Sequence, residues 1–296
     1  MRQQLEVAIR HSLAAQSRNR LAWILLVAFV PGWYLIIGSM IPHRGATFIL
    51  RSNETRLVVD GHDLTLITAG LSAITLIAGF VVFAATRRAI PFDRRLILSG
   101  YRPAALITAK TAAALAVAAA VGGYAAVVIL AFWRPAGLWS IAVAFILAAA
   151  SYAALGLLVG VLVRGDLEGF FLIIMTALLD TFLENPVDNP LANKPILEFF
   201  PSYGPTQFAA AGAFHHQVLP GMVAVSLAWT AGFALLGLAV LWLRMPRYSL
   251  RRTGAGRLRA AASPGSPAIT TAAASQPAAI TDSATDGTAT TAVMPS

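Results

Sequence analysis

Long apolar runs recur along this chain of 296 residues and decide what it can fold into. Six such runs occupy residues 21–42, 64–86, 104–133, 137–163, 167–183 and 218–243. About 20 apolar residues in an α-helix cross the roughly 30 Å of hydrocarbon in a bilayer, and all but the fifth run reach that length. We therefore expect an all-α integral membrane protein with six transmembrane helices.

The fifth run differs from the others because it is short and leads into a long semi-polar loop. That loop contains the sequence FFPSYGP at residues 199–205. Proline and glycine break a helix, and irregular backbone at membrane depth is tolerated only against protein or a watery cavity. We expect a short re-entrant segment on the outer side between spans five and six.

The basic residues are unevenly divided between the two sides that six spans define. Most of the arginines lie before span one, between spans two and three, or after span six. Cytoplasmic segments of membrane proteins carry an excess of basic residues, so both termini are predicted to be cytoplasmic. The net charge of +9 is thus explained by membrane topology. Nucleic acid is therefore not expected as a partner.

The two ends of the chain differ from the apolar middle, residues 21–245, which contains the six predicted spans. Within residues 1–20, Leu5, Ile9 and Leu13 recur at intervals of four among charged residues, which predicts an amphipathic helix at the membrane interface. An ordinary cytoplasmic lead-in is the alternative. Residues 246–296 begin with arginines and continue as an Ala/Thr/Ser/Pro-rich segment, which predicts a disordered cytoplasmic tail.

The first outer loop has the pattern of a small β-hairpin. Its sequence, ATFILRSNETRLVVDG at residues 46–61, alternates around a polar turn. Alternation of this kind is typical of two short antiparallel strands.

Motifs of catalysis and metal binding are missing from the sequence. The chain has no cysteine, and its two lysines follow alanine and asparagine, not the glycine of a P-loop. It also lacks H-E-x-x-H and G-x-S-x-G motifs. His215 and His216 are adjacent, so their side chains would diverge on a helix, and we interpret them as interfacial polar residues. We predict no catalytic residue, no metal site and no cofactor in this chain.

Glu168 stands at the start of the fifth run, and Asp180 is the one acidic residue in the interior of a predicted span. A carboxylate in hydrocarbon is costly and usually faces a cavity or a partner, which makes Asp180 a candidate residue of a substrate path. The alternative is that Asp180 reaches outer water, since span five is short and Glu184 follows one turn later. If Asp180 is functional, an ion-coupled secondary transporter or a polytopic membrane enzyme also becomes a candidate.

The most unusual segment is RRAIPFDRRLILSGYRPAALITAK, residues 87–110, which is rich in arginine and lies between two apolar runs. Pro91 suits the first position of a helix, Asp93 suits its first turn, and Gly100 suits its C-terminal end. The pattern predicts a short helix over residues 91–100 on the cytoplasmic membrane surface. Binding of anionic lipid explains the arginines but not the framing by Pro91 and Gly100. A capped, charged helix suits the docking of a soluble partner.

Residues 93–110 resemble the cytoplasmic loop of type-2 ABC exporter permeases. Leu96, Leu98, Pro103, Leu106 and Lys110 match the family's order of a leucine-rich helix, a turn, a break and a span that opens with a lysine. The resemblance extends over residues 1–245 in the order of its elements. The family loop often carries glutamate in an E-R-G-T-like run, whereas this chain has only Asp93 before two arginines.

The resemblance implies a permease subunit of the bacterial cytoplasmic membrane, which exports a substrate with energy from a separate ATP-hydrolysing subunit. Two permease chains, identical or paralogous, would pair through spans one and five among membrane lipids. Substrate would pass near spans two and five, where Asp180 lies. The ATPase contact would be a coupling helix formed by Pro91, Phe92, Asp93, Arg94, Arg95, Leu96, Leu98 and Gly100.

Overall fold

A computed structural model of the chain describes residues 20–50, 55–99, 103–187, 189, 192 and 194–244. All of these residues belong to a single unit of the chain. The predicted interface helix, apart from Arg20, and the predicted tail over 246–296 lie outside the described residues.

The described residues form seven α-helices. They are α1 (Arg20–Met40), α2 (Gly61–Leu98), α3 (Pro103–Val128), α4 (Leu138–Leu162), α5 (Asp166–Glu184), α6 (Tyr203–His215) and α7 (Pro220–Arg244). Two short 3-10 helices, Ile129–Ala131 and Pro195–Phe199, follow α3 and precede α6. Alanine and leucine, which are strong helix formers, are abundant in these segments.

Within this part of the chain, α2, α3, α4 and α7 are long and apolar enough to cross a membrane. The described apolar part of α1, Leu26–Met40, is shorter than such a span. Helix α5 has 19 residues, four of which are acidic. That α1 and α5 also cross a membrane stays a prediction, as does the total of six spans.

A β-hairpin connects α1 to α2. Strand β1 (Gly45–Leu50) pairs with β2 (Thr55–Asp60) in an antiparallel register that places Gly45 opposite Asp60. The inward side chains pack on α2 and α6; they are Phe48, Leu50, Leu57 and Val59. The predicted hairpin is therefore confirmed, and it adds two short strands to a part of the chain that is otherwise mostly helical. Side chains alternate between the two faces of a strand, so this short alternating segment can bury one face as a strand pair.

Helices α2 and α4 approach each other closely at glycine. A Cβ atom on Gly156 of α4 would collide with the carbonyl oxygen of Gly79 of α2, and one on Gly160 would press on Thr86. Small residues allow such backbone contact between helices in a membrane. The two helices therefore pack closely, and α4 is buried along most of its length.

The predicted helix break at Pro91 is wrong. Helix α2 runs continuously over 38 residues with Pro91 in its interior and ends at Leu98, where the Ser99 N–H bonds the Arg95 carbonyl oxygen. Proline removes one backbone hydrogen bond and disfavours the helical conformation of the residue before it. Arg87 lies before Pro91 and Asp93 lies after it, and both side chains are bonded to other helices. These contacts stabilise the helical conformation of α2 on both sides of the proline.

Candidate functional site

The last turns of α2 expose one continuous face. Arg88, Pro91, Phe92, Arg95 and Leu98 are all exposed, and each lies three or four residues from another member of the set. Residues at this spacing share one side of a helix. Phe92 and Leu98 are 53% and 41% exposed, which is unusual for large apolar side chains next to arginines. We call these five residues the α2 stripe.

Asp93 does not belong to the α2 stripe. Its carboxylate forms an ion pair with Lys110 Nζ of α3, and the two side chains are only 13% and 15% exposed. The resemblance assigns Asp93 to the contact with an ATPase, but the structure commits it to a contact within the chain. Leu96 is half-buried. The side chain of Arg94, like the whole of Gly100, lies outside the described part.

Arg87 connects α2 to the segment between α4 and α5. Its Nε donates to Asp166 Oδ1 at 2.8 Å, and its Nη1 donates to the Val163 carbonyl oxygen at 3.0 Å. Its Nη2 donates to the Arg164 carbonyl oxygen. The planar guanidinium is suited to such simultaneous bonds, and it satisfies carbonyl groups that the end of α4 leaves without helical partners.

The contacts of Asp93 and Arg87 connect the end of α2, which carries the α2 stripe, to neighbouring helices. The Asp93–Lys110 pair joins the end of α2 to α3, and Arg87 joins it to the segment between α4 and α5. A displacement of the α2 stripe would therefore be passed to three other helices. From the sequence, Arg87 was expected only as one basic residue of a cytoplasmic cluster.

A second polar site surrounds two acids of α5. Asp180 and Glu184 lie one turn apart, on one face of the helix, and are 0% and 3% exposed. Asp180 Oδ2 accepts hydrogen bonds from Tyr152 Oη at 2.6 Å and from the Ser202 N–H at 3.0 Å. Glu184 accepts from Ser202 Oγ at 3.0 Å and from Thr206 Oγ1. The site thus brings α4, α5 and α6 together, and we call it the acid cluster.

The position of α6 explains why acids are tolerated there. Ser202 directly precedes α6 and Thr206 lies in its first turns, so both carboxyl groups face the N-terminal end of that helix. Helix N-termini present unpaired N–H groups and a partial positive charge, both of which stabilise an anion.

The structure places Asp180 inside the protein, not at its surface. The alternative that Asp180 reaches water through the end of α5 is therefore wrong for this conformation. Its carboxyl group faces α4 and α6 and not an open path. Tyr152, Ser202 and Thr206 were not predicted from the sequence as residues of a site. The only available signal was the spacing of four between Asp180 and Glu184.

A third group of titratable residues lies where β2 passes into α2. Donor atoms of His43, Asp60 and Asp63 all lie within 4.8 Å of one another, which is close enough to hold a metal ion. The local fold also accounts for Asp60, because Oδ1 accepts the His62 N–H at 2.9 Å and Oδ2 lies 2.7 Å from His43 Nδ1. The hydrogen bond with Asp60 and its negative charge raise the pKa of His43. Burial raises the pKa of Asp60, but its hydrogen bonds from His43 and the His62 N–H outweigh this and lower it.

His215 and His216 are exposed at the C-terminal end of α6, where His216 adopts a left-handed conformation with φ of 51°. This position is typical of a residue that ends a helix.

Within the described residues, the α2 stripe and the acid cluster are the arrangements that bear most directly on function. Comparison with known proteins adds no assignment to either. No protein-family model matches the chain, and no curated protein matches it.

Proposed function

We propose that this chain is the transmembrane permease subunit of an ATP-driven ABC exporter, with ATP hydrolysed on a separate subunit. The observation that carries the proposal is the α2 stripe. It is an exposed face of two arginines, a phenylalanine, a leucine and a proline at the end of a long apolar helix. Residues 93–110 resemble the cytoplasmic loop of type-2 exporter permeases, and this resemblance suggests that the protein bound by the α2 stripe is an ATPase subunit.

The chemistry of the α2 stripe suits a soluble protein partner. Arginine and large apolar side chains are enriched at the centres of protein interfaces, where they supply most of the binding energy. A lipid headgroup would attract Arg88 and Arg95, but it would not require the exposed Phe92 and Leu98 on the same face. An ATPase with an apolar pocket bordered by acidic residues would use all of these side chains.

In the proposed mechanism, closure of the ATPase subunits displaces the α2 stripe. Arg87 carries the displacement to the segment between α4 and α5, and the Asp93–Lys110 pair carries it to α3. Packed helices move as rigid bodies under such a displacement, which changes access to a path between the permease chains.

The proposal includes a second permease chain and a location in the bacterial cytoplasmic membrane, with both termini on the cytoplasmic side and a re-entrant α6. Large exposed apolar side chains on α1 and α5 support the pairing. They are Trp23, Ile24 and Val27 on α1 and Leu167, Phe171 and Phe182 on α5. Part of this surface would contact membrane lipid.

The acid cluster favours a second candidate, an ion-coupled secondary transporter. Buried acids in a membrane domain often belong to ion pathways. This candidate needs no ATPase partner, and it leaves the α2 stripe without a role.

The two candidates are separated by purifying the tagged chain from its own membranes in mild detergent and identifying its partners by mass. We expect a stoichiometric ATPase subunit that contains a G-x-x-x-x-G-K-[ST] sequence. Phe92→Asp should abolish its recovery. Val58→Asp is the matched control, because Val58 is 78% exposed on the hairpin and lies outside the α2 stripe. A clean preparation without an ATPase would overturn the proposal in favour of the ion-coupled transporter.

A further inference from the structure

The two carboxyl groups of the acid cluster lie together without a cation. Among the described residues, the ion pairs are His43–Asp60, Arg87–Asp166 and Lys110–Asp93. Neither Asp180 nor Glu184 is part of an ion pair there. The nearest arginine contact on α5, Arg87 with Asp166, lies fourteen positions along the helix, or about 21 Å.

The other elements packed around the acid cluster supply hydroxyl and amide groups. Helix α4 contributes the titratable Tyr152, and the start of α6 contributes Ser202 and Thr206, with buried Tyr203 between them in the chain. Helix α2 approaches through Thr65, whose Oγ1 accepts from Asn185 Nδ2 at 3.2 Å.

The charged residues in the first turn of α2 are engaged elsewhere. His62 Nδ1 lies 3.0 Å from the Ile41 carbonyl oxygen, and Asp63 belongs to the group around His43.

Two buried negative charges would be costly in this environment. A carboxylate withdrawn from water must be paired or fully hydrogen-bonded, and a second carboxylate one turn away adds repulsion. The N-terminal end of α6 offers about half of one positive charge in compensation. Two close carboxyl groups under such conditions hold a proton, as carboxylate dyads do.

Asp180 Oδ1 is a buried acceptor that lacks a hydrogen-bond donor. Asp180 Oδ1 is fully buried and has no hydrogen-bond partner, whereas Asp180 Oδ2 and both oxygens of Glu184 accept hydrogen bonds. Buried acceptors without a partner are rare. A proton held between the two carboxyl groups would remove one of the two charges, and Asp180 Oδ1 is the carboxyl oxygen of the pair that still lacks a donor.

We propose that Asp180 and Glu184 form a proton-binding site that holds a single proton between the two carboxyl groups. The protonated site carries one negative charge, stabilised by the start of α6. When the pH is raised, hydroxide accepts the proton and forms water. The O–H bond of the carboxyl group is broken, and the two carboxylates that remain at the contact between α5 and α6 repel each other and weaken that contact. The site is independent of ATP and of any ATPase partner, so it goes beyond the proposed function.

Infrared spectroscopy of the purified full-length chain tests this directly. At neutral pH we expect the C=O stretching band of one carboxylic acid per chain, with a shift in heavy water. Asp180→Asn and Glu184→Gln should each remove the band, because a single remaining acid ionises when its neighbour carries no charge. Glu168→Gln, which changes an exposed acid in the first turn of α5, should keep the band.

Three results would overturn the proposal: no acid band in the wild-type chain, a band equal to two acids, or a band that survives either single substitution. The wild-type spectrum needs no variant to fold, so it decides the matter even if both substitutions prevent folding. Raising the pH should convert the band to carboxylate with the loss of one proton per chain. Loss of no proton, or of two, would also contradict the site.

Discussion

The carboxylate of Asp93 pairs with the ammonium group of Lys110, across the contact between α2 and α3, in a largely buried position. Loss of one partner leaves the other charge without compensation away from water, which costs about 3–5 kcal/mol for a fully buried pair. We expect Lys110→Met to lower the thermal unfolding temperature of the purified chain. The double variant Asp93→Asn/Lys110→Met should recover part of that loss.

Lys194→Met is the control for this prediction, because Lys194 is exposed and should give an unchanged unfolding temperature. If the double variant were as unstable as the sum of the two single variants, the pair would contribute nothing to stability.

Arg87 is expected to protect the segment between α4 and α5. Arg87→Lys keeps the positive charge but loses the planar fork, and each lost hydrogen bond costs about 0.5–1.5 kcal/mol. The backbone after Arg164 should then be cut faster by trypsin, measured from fragment masses over time. Asp166→Asn removes the negative charge from one of the three contacts but keeps an acceptor oxygen, so it should cause a smaller increase. Equal cleavage in wild type and Arg87→Lys would show that Arg87 does not hold this segment.

The α2 stripe should transmit the effect of the ATPase in the reconstituted complex. Arg95→Glu reverses one charge of the stripe, so it should weaken the contact and uncouple ATP hydrolysis from export while the chain still inserts in the membrane. Half-buried Leu96→Asp should also uncouple, with an added loss of stability. Arg134→Glu, an exposed change between α3 and α4, is the matched control. Normal export by the Arg95→Glu variant would remove the α2 stripe from the mechanism.

Close packing of α2 against α4 should make Gly156 intolerant of a side chain. Gly156→Ala forces its Cβ onto the Gly79 carbonyl oxygen, and overpacking of this kind costs about 1–3 kcal/mol in unfolding free energy. Gly123→Ala meets nothing within 4 Å and should be neutral or stabilising, by up to about 1 kcal/mol. Thermal unfolding of both variants checks the contrast, and equal effects would mean that the two helices can separate without cost.

The His43–Asp60 pair should stabilise the start of α2 over a limited pH range. The pKa of His43 is raised above 6.5, so its contribution is present below that value and is lost as the pH rises through the raised pKa. The pKa of Asp60 is lowered below 3.8, so its contribution is present above that value and is lost as the pH falls through the lowered pKa. The pair is therefore intact between the lowered pKa of Asp60 and the raised pKa of His43.

An NMR titration of His43 checks this pair. Asp60→Asn should bring the pKa of His43 back towards 6.5, while the amide oxygen can still accept the His62 N–H. Asp63→Asn should lower the pKa of His43 by less, because Asp63 acts on it only through its charge. An unchanged titration in Asp60→Asn would contradict the pairing.

Periodic elements of this fold were predictable from the sequence, because a single local pattern specifies each of them. The predicted span over 137–163 corresponds to α4, Leu138–Leu162, and the alternation over 46–61 corresponds to the hairpin. The error at Pro91 has a non-local origin. A proline inside a helix is costly by itself, and the contacts that keep α2 continuous are made by residues of α3 and of the segment after α4.

The acid cluster was only partly predictable for the same reason. Asp180 stands out as an acid in an apolar run. Its hydrogen-bond partners Ser202 and Tyr152 lie 22 and 28 residues away along the chain, and nothing in their local sequence marks them. The folded arrangement was needed to show that Glu184 shares its surroundings.

The continuity of α2 has a geometric consequence. Its 38 residues extend about 57 Å, nearly twice the roughly 30 Å of a bilayer's hydrocarbon. A rod of this length acts as a lever: a tilt of about 10° about the end that follows the hairpin swings the opposite end by ~10 Å. With a break at Pro91, the arginine-rich segment would have been a separate short helix that could move independently of the rest of α2. As a continuous lever, α2 turns a small angular change at one end into a displacement as wide as a helix at the other.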